Sequence, residues 1–355
     1  MSPLAIFRSL IMALLWIEGC EGFGTSVGNA PDPVGIIDRK YSTDGQTANW
    51  NITSGRLGGY SLQLNYTGSY MQPPALTTNA TILVGFAVKF KAINVTTFLS
   101  LYDGTTQGMN LRLTAGGEIA IYRGGTAIET TIGLALVADA WYYIEFKVLC
   151  NNTTGTYELR VGGSDVASDS GIDTQAGTNA YHDRFRLSSS ASSAYAASFD
   201  DIYCLDGSGA VNNDFLGNMR VIAIRPDGDT AANAWTRSAG AENFDLVNES
   251  ICDDDTGYVE SAVSTTKDLY TYDAITELAD SVKGIQINTV CRETDANSFS
   301  LVTVAKLGAT ESYSGADSIG TTNYIMKTRL METDPTGNAW TISNVDASQF
   351  GIKVN

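Results

Sequence analysis

Phe199-Asp-Asp-Ile-Tyr-Cys-Leu-Asp-Gly-Ser-Gly209, followed by Asn213-Asp-Phe-Leu-Gly-Asn-Met-Arg-Val-Ile-Ala-Ile-Arg-Pro-Asp-Gly228, holds two short β-patterned runs joined by a Gly/Ser/Asn-rich connector. The runs are Ile202–Leu205 and Met219–Ile224. Small polar residues cannot build a packed core, so the connector marks a joint between two β-rich halves. The expected fold class is all-β, two jelly-roll-like β-sandwich domains in tandem. Residues 12–206 form the first, 207–214 the linker and 215–355 the second. A chain of 355 residues is long enough for each half to bury a core of its own.

Outward from the joint, the first half alternates with period two. Ser61-Leu-Gln-Leu-Asn-Tyr66 reads polar/apolar, and Leu83-Val-Gly-Phe-Ala-Val-Lys-Phe90 is apolar enough for a central strand. Phe98-Leu-Ser-Leu-Tyr102, Asn110-Leu-Arg-Leu113 and Glu118-Ile-Ala-Ile-Tyr122 follow, separated by Asp103-Gly104 and Gly116-Gly117, which allow tight hairpins. Trp141-Tyr-Tyr-Ile-Glu-Phe-Lys-Val148 then faces Thr156-Tyr-Glu-Leu-Arg-Val161, and Arg184-Phe-Arg-Leu187 and Ser198–Tyr203 complete the set. The second half adds Gly284–Val290, Phe299–Lys306 and Tyr324–Met331; only Ala274–Asp280 reads as a helix. No 20–50-residue period recurs, which argues against a propeller or solenoid.

Composition narrows the partners. Glycine is abundant at 35 residues while charged residues make up 17%, a profile of turn-rich sandwiches. The 39 acidic against 22 basic residues give a charge of −17, a field that repels phosphate backbones, so no nucleic-acid partner is expected. Cys20, Cys150, Cys204, Cys252 and Cys291 include no C-x-x-C pair and His182 is the single histidine, so a zinc site lacks ligands. The cysteines are read as buried free thiols, with Cys150/Cys204 and Cys252/Cys291 left open as pairs able to bridge. Arg8 and the apolar run Leu10–Ile17 imitate a signal peptide, but Glu18 spoils the cleavage site. The run is too short to span a membrane and is read as a buried strand, with Met12 an alternative start to Met1.

The joint also carries a resemblance. Asp200-Asp-Ile-Tyr203, Leu205-Asp-Gly-Ser-Gly209 and Asn213-Asp-Phe-Leu-Gly217 resemble a family of tailed-bacteriophage virion structural proteins to which no chemistry is attached. Its N-terminal half is similar to the concanavalin/laminin-G-like jelly roll. Leu14–Gly24, Gly35–Tyr41, Ala75–Ala87, Asp254–Val259, Glu332–Trp340 and Gln349–Val354 extend the likeness over nearly the whole chain from Met12. The resemblance implies a non-enzymatic virion protein of the tail, fibre or baseplate, without membrane insertion. Its implied partners are other virion proteins, copies of itself and host surface glycans. A capsid decoration protein is the alternative, and a virion-associated glycan hydrolase a minor one.

The candidate chemistry is sparse. Concanavalin-like glucanases line one strand face with Glu-x-Asp-x-x-Glu; Glu293-Thr-Asp295 and Glu332-Thr-Asp334 begin that pattern, but Ser298 and Gly337 replace its last acid. Both are read as acidic residues at strand ends, so no catalytic or cofactor-binding residue is assigned. His182 is read as a surface residue in a turn. Asp200-Asp201 and Asp253-Asp254-Asp255 are weak calcium candidates, since they gather carboxylates without an EF-hand spacing. The seven Asn-x-Ser/Thr triplets are read as chance products of an Asn/Thr-rich chain. Tyr70, Tyr122, Tyr142 and Trp235 are read as exposed rings able to stack on sugars. Open sandwiches leave edge strands that invite partners. At least one terminus, the apolar N-terminal run or the strand-like Phe350–Asn355, is therefore expected to bury against a neighbouring copy or another virion protein.

Overall fold

The structure is a computed structural model that describes residues 13–23, 38–41, 50–66, 68–189, 196–277, 281–294, 299–320 and 322–355. It is all-β, with 49% strand against 3% helix, as the alternation requires. The first sandwich packs two antiparallel sheets. Its larger sheet runs Ser164–Ile172, Gly155–Val161, Trp141–Leu149, Thr81–Phe90, Ala197–Leu205, Tyr60–Leu64 and Trp50–Ser54, with Leu14–Glu18 as an eighth strand on Ala197–Leu205. The smaller runs Tyr70–Met71, Arg184–Ser188, Thr96–Asp103, Thr106–Leu113, Ile119–Arg123 and Thr126–Thr130. The large sheet's order is far from sequential, so distant segments close one core.

Side-chain alternation explains the layers. Ile82, Val84, Phe86, Val88 and Phe90 point into the sandwich, where Phe86, Phe90, Phe98 and Phe199 stack with centroids 5.3–6.3 Å apart. The intervening Leu83 and Ala87 point outward and join Leu14, Tyr143, Tyr203 and Leu205 in a second apolar layer, which Phe215, Leu216 and Met219 cover. Ala197–Leu205 is therefore buried along its full length.

Met219–Ile224 is not a strand, contrary to the sequence reading; the next strand is Pro226–Asn233. The backbone here is bonded by side chains of the large sheet rather than by a neighbouring strand. Leu216 N–H donates to the Tyr203 hydroxyl (3.1 Å), Gly217 N–H to Glu145 (2.8 Å) and Val221 N–H to Asp201 (2.7 Å). Its apolar residues follow the docking surface instead of a pleat. Ala274–Glu277 is likewise not helical, and residues 278–280 lie outside the described residues. The α-helical turns described are Asp38–Lys40 and Ile342–Asp346, the latter capped by the Thr341 hydroxyl.

The second half forms a six-stranded antiparallel sheet, Pro226–Asn233, Lys267–Tyr272, Ser348–Val354, Ser300–Leu307 and Thr310–Tyr313, with Asp317–Ser318 also on Ser300–Leu307. The ribbon Ile285–Cys291/Ile325–Met331 packs against it around Ala305, Trp340, Val345 and Phe350. Arg329 ties ribbon to sheet by donating to the Thr303 and Ser312 carbonyls (2.9 and 2.8 Å). The two halves meet where Glu332 accepts the Ala13 and Leu14 amides (3.1 and 3.0 Å).

The C-terminal strand Ser348–Val354 lies between Lys267–Tyr272 and Ser300–Leu307, so it presents no open edge to a neighbouring copy. Leu14–Glu18 is a paired strand, while residues 1–12 lie outside the described residues. All five cysteines are unpaired, which closes the Cys150/Cys204 and Cys252/Cys291 alternatives. Among the described residues no helix is long and apolar enough to cross a membrane.

Candidate functional site

The outer face of the smaller sheet is polar and aromatic because its strands alternate, with bulges in Thr96–Asp103 beside Phe98 and Leu101. Leu99, Leu101, Met109, Leu111, Ile119, Ile121, Phe185 and Leu187 fill the core, so Ser100, Tyr102, Asn110, Arg112, Tyr122, Arg184 and Arg186 face outward. Register aligns them: Arg186 is opposite Ser100, Ser100 opposite Asn110, and Asn110 opposite Tyr122, forming one row across four strands. Arg186 is held between two rings, 4.1 Å from the Tyr70 centroid and 4.4 Å from that of Tyr102, while its Nε donates to Gln72 (2.6 Å). Arg112 lies 3.8 Å over Tyr122, with Nε donating to Asn110 (3.0 Å) and Nη2 to the Gly124 carbonyl (3.1 Å). Gln107 donates to the Ser100 hydroxyl (2.8 Å). Ser100 and Asn110 are themselves buried, so the surface they brace presents guanidinium edges and tyrosine rings.

Of the rings singled out in the sequence, Tyr70 and Tyr122 belong to this face, each with a guanidinium on it. Tyr142 lies on the other sheet, where its hydroxyl accepts the Val137 amide (2.9 Å), and Trp235 is in the second half. All four are half-buried rather than exposed. Sequence reasoning passed over Arg112, Arg186, Tyr102, Asn110 and Gln107. The signal was present: Ser100 and Tyr102, Asn110 and Arg112, and Arg184 and Arg186 recur at every second position of their strands.

His182 corrects a second reading, because it is buried (1% exposed) rather than on the surface. It sits at the end of the same sheet over Gly108, where a Cβ would come within 2.4 Å of its Nε2. Burial pushes its pKa down to about 4, and its Nδ1 has no partner. The ring is neutral and packed.

The calcium candidates are spent on other bonds. Asp200 and Asp201 form a bulge in Ala197–Leu205, with Asp201 at φ 50°. There the strand's outer partner changes from Tyr60–Leu64 to Leu14–Glu18. Arg56 fills the notch: its Nε donates to Asp201 (2.8 Å), its amide to Asp200 (2.7 Å), and its terminal nitrogens to Asn218 and the Met219 carbonyl. Burial pushes the Asp200 carboxyl up to about 8, with the Asp201 charge adding to it. Asp254 pairs with Arg39 (2.7 Å) and Asp255 with Arg292 (2.5 Å), with Tyr324 packed beside both guanidiniums. Asp253 instead caps the Gly257 amide (3.2 Å). Among the described residues no group of three or more His, Cys, Asp or Glu side chains is placed to hold a metal ion.

The incomplete acidic pairs do not assemble a cleft. Glu332 accepts the two amides that join the halves, and Asp334 organises its own turn by accepting from Thr336, Asn338 and Asn344. Asp295 lies outside the described residues. A cavity of about 1070 Å³ opens between the halves, lined by Ile17, Val221, Trp235, Ile287 and Tyr324 among others.

No family model matches the chain. No curated protein matches it. Solved structures do align with its fold. A glucuronan lyase from the fungus Trichoderma reesei aligns at 11% identity and a TM-score of 0.36, over 47% of this chain and 93% of its own. The alginate lyase Aly36B aligns at 10% identity and 0.36, over 54% and 96%. Domain 4 of an extracellular arabinanase from Geobacillus stearothermophilus, solved with arabinotriose, aligns at 17% and 0.38, over 56% and 94%. The expectation of a non-enzymatic chain is corrected on this finding and not retained, because the aligned structures include lyases. Likenesses this remote assign neither an activity nor a ligand to this chain.

Proposed function

We propose that this chain is a structural component of a tailed-bacteriophage virion, associated with the tail, whose first sandwich holds host surface glycans on the outer face of its smaller sheet. The virion role rests on the sequence resemblance from Met12 onward. The glycan role is carried by one observation: Arg186 and Tyr122, set in register over the buried Ser100 and Asn110 and flanked by Tyr70, Tyr102 and Arg112. Saccharides present apolar ring faces and a rim of hydroxyls. Tyrosine rings suit the faces, and guanidiniums braced by neighbours suit the hydroxyls at little ordering cost.

Two measurements test the reading. A quantitative gel of purified particles is expected to show a few to a few dozen copies; hundreds of copies move the chain to the head surface, and absence overturns the virion role. Purified full-length chain is expected to bind host envelope polysaccharide, with Tyr122→Ala and Tyr70→Ala each weakening binding at least about ten-fold, or 1.4 kcal/mol. Wild-type strength in both variants overturns the site.

A further inference from the structure

We infer that this face selects saccharides bearing a carboxylate over their neutral counterparts, an inference that rests on the glycan-binding reading above. The chain has 39 acidic residues for 22 basic ones, so an arginine is far more easily paired than left without a carboxylate. Arg184 shows the usual outcome on this face: Asp183 holds it with two parallel bonds of 2.9 Å. Arg186, the next outward residue on the strand, has no ion pair among the described residues, and neither does Arg112. Both are instead positioned by neutral groups, Gln72 for Arg186, and Asn110 and the Gly124 carbonyl for Arg112. Their charges are thus held in place and left uncompensated.

Position makes the pair a ligand-sized feature. Arg186 is aligned with Asn110 through Ser100, and Arg112 lies two residues further along its strand. At strand spacings near 4.8 Å and a rise near 3.4 Å per residue, the two Cα atoms are about 12 Å apart. Tyr122 and the Tyr70/Tyr102 pair stand beside them. Of the carboxylates at the sheet's end, Asp183 is occupied by Arg184, and Asp103, whose carboxylate accepts from Asn179 (2.9 Å), makes no ion pair with Arg186 or Arg112. Arg186 spends only its Nε on Gln72, so its terminal nitrogens can take a carboxylate in a two-point bond, which a sugar hydroxymethyl cannot make; Arg112, with Nη2 on Gly124, adds Nη1.

Titration calorimetry on the full chain tests this with a 1,4-linked uronate tetramer, a sialylated trisaccharide, and the carboxyl-reduced counterpart of each. At least one acidic ligand is expected to bind ten-fold or more tightly than its reduced form. That preference should shrink with added salt and be lost in Arg186→Gln and Arg112→Gln, while Arg186→Lys retains part of it. Thermal melts confirm that the variants fold. Equal binding of acidic and reduced ligands, or an unchanged preference in both glutamine variants, overturns the inference and leaves the glycan reading standing. Binding of none of the four overturns both.

Discussion

At the scale of single residues, two glycines decide what the surrounding rings can do. Gly85 lies opposite Tyr203 in the large sheet, and a Cβ there would come within 2.1 Å of the Tyr203 ring. The ring cannot withdraw freely, because its hydroxyl donates to Glu145 and accepts the Leu216 amide at 3.1 Å. Gly85→Ala is therefore expected to destabilise the chain by about 1–3 kcal/mol in urea unfolding, as overpacking does. Gly125→Ala, with nothing within 4 Å, should stay within about 0.5 kcal/mol of wild type. Equal midpoints for the two would refute the packing account. Gly108 plays the same part for His182, and no pattern in the local sequence announces either partnership.

Among elements, the strand Ala197–Leu205 is the keystone. Its bulge at Asp200–Asp201 lets one strand serve two outer partners, and the notch so made accepts Arg56 and the 214–221 segment. Carboxyls gather beside it. Glu21 lies against the Gly58-Gly59 turn and accepts the Tyr60 amide (3.0 Å), and burial pushes it up to about 7. Asp200 is pushed up to about 8. Unfolded carboxyls titrate near 4, so above that pH the folded chain holds protons that the unfolded chain has released. Stability is thus greatest at or below about pH 4 as far as these two groups are concerned, and falls as pH rises through about 7 and 8. Glu21→Gln keeps an acceptor for Tyr60 and removes one titration. It is expected to flatten the fall between about pH 5 and 8 by of order 1 kcal/mol, discounted for partial exposure. Urea melts across that range check it, and an unaltered slope in the variant would sink the assignment.

For the whole molecule, Glu332 is the most highly bonded of the links between the halves, beside the Arg39–Asp254 pair and the Ile17 amide on Gln286. Its buried carboxylate accepts the Ala13 and Leu14 amides and the Asn212 side chain (3.2 Å), joining the first strand, the linker and the ribbon end. Glu332→Ala leaves two buried amides unpaired and is expected to cost about 2–3 kcal/mol. Hydrogen exchange should show protection lost first at residues 13–14, with the second sheet opening separately from the first. Retention of wild-type protection there would mean that the halves are held together by other contacts.

The sequence by itself determined the all-β class and most strands of the first sandwich. Period-two alternation reports which side of a strand is buried, and that depends on neighbours in sequence. It also contained the outward row of the smaller sheet, since the polar positions of Phe98–Tyr102, Asn110–Leu113 and Arg184–Leu187 were legible strand by strand. Only the tertiary structure decided that these positions lie side by side, because register between distant strands is set by the packing of the whole core. The same holds for each misreading. Met219–Ile224 has a strand's apolar pattern, yet the Val221 amide is bonded by Asp201, and the preceding Leu216 and Gly217 amides by Tyr203 and Glu145, across the joint. His182 reads as a surface residue and the Asp200-Asp201 pair as a calcium candidate, yet burial by chain segments far away in sequence gave both their properties.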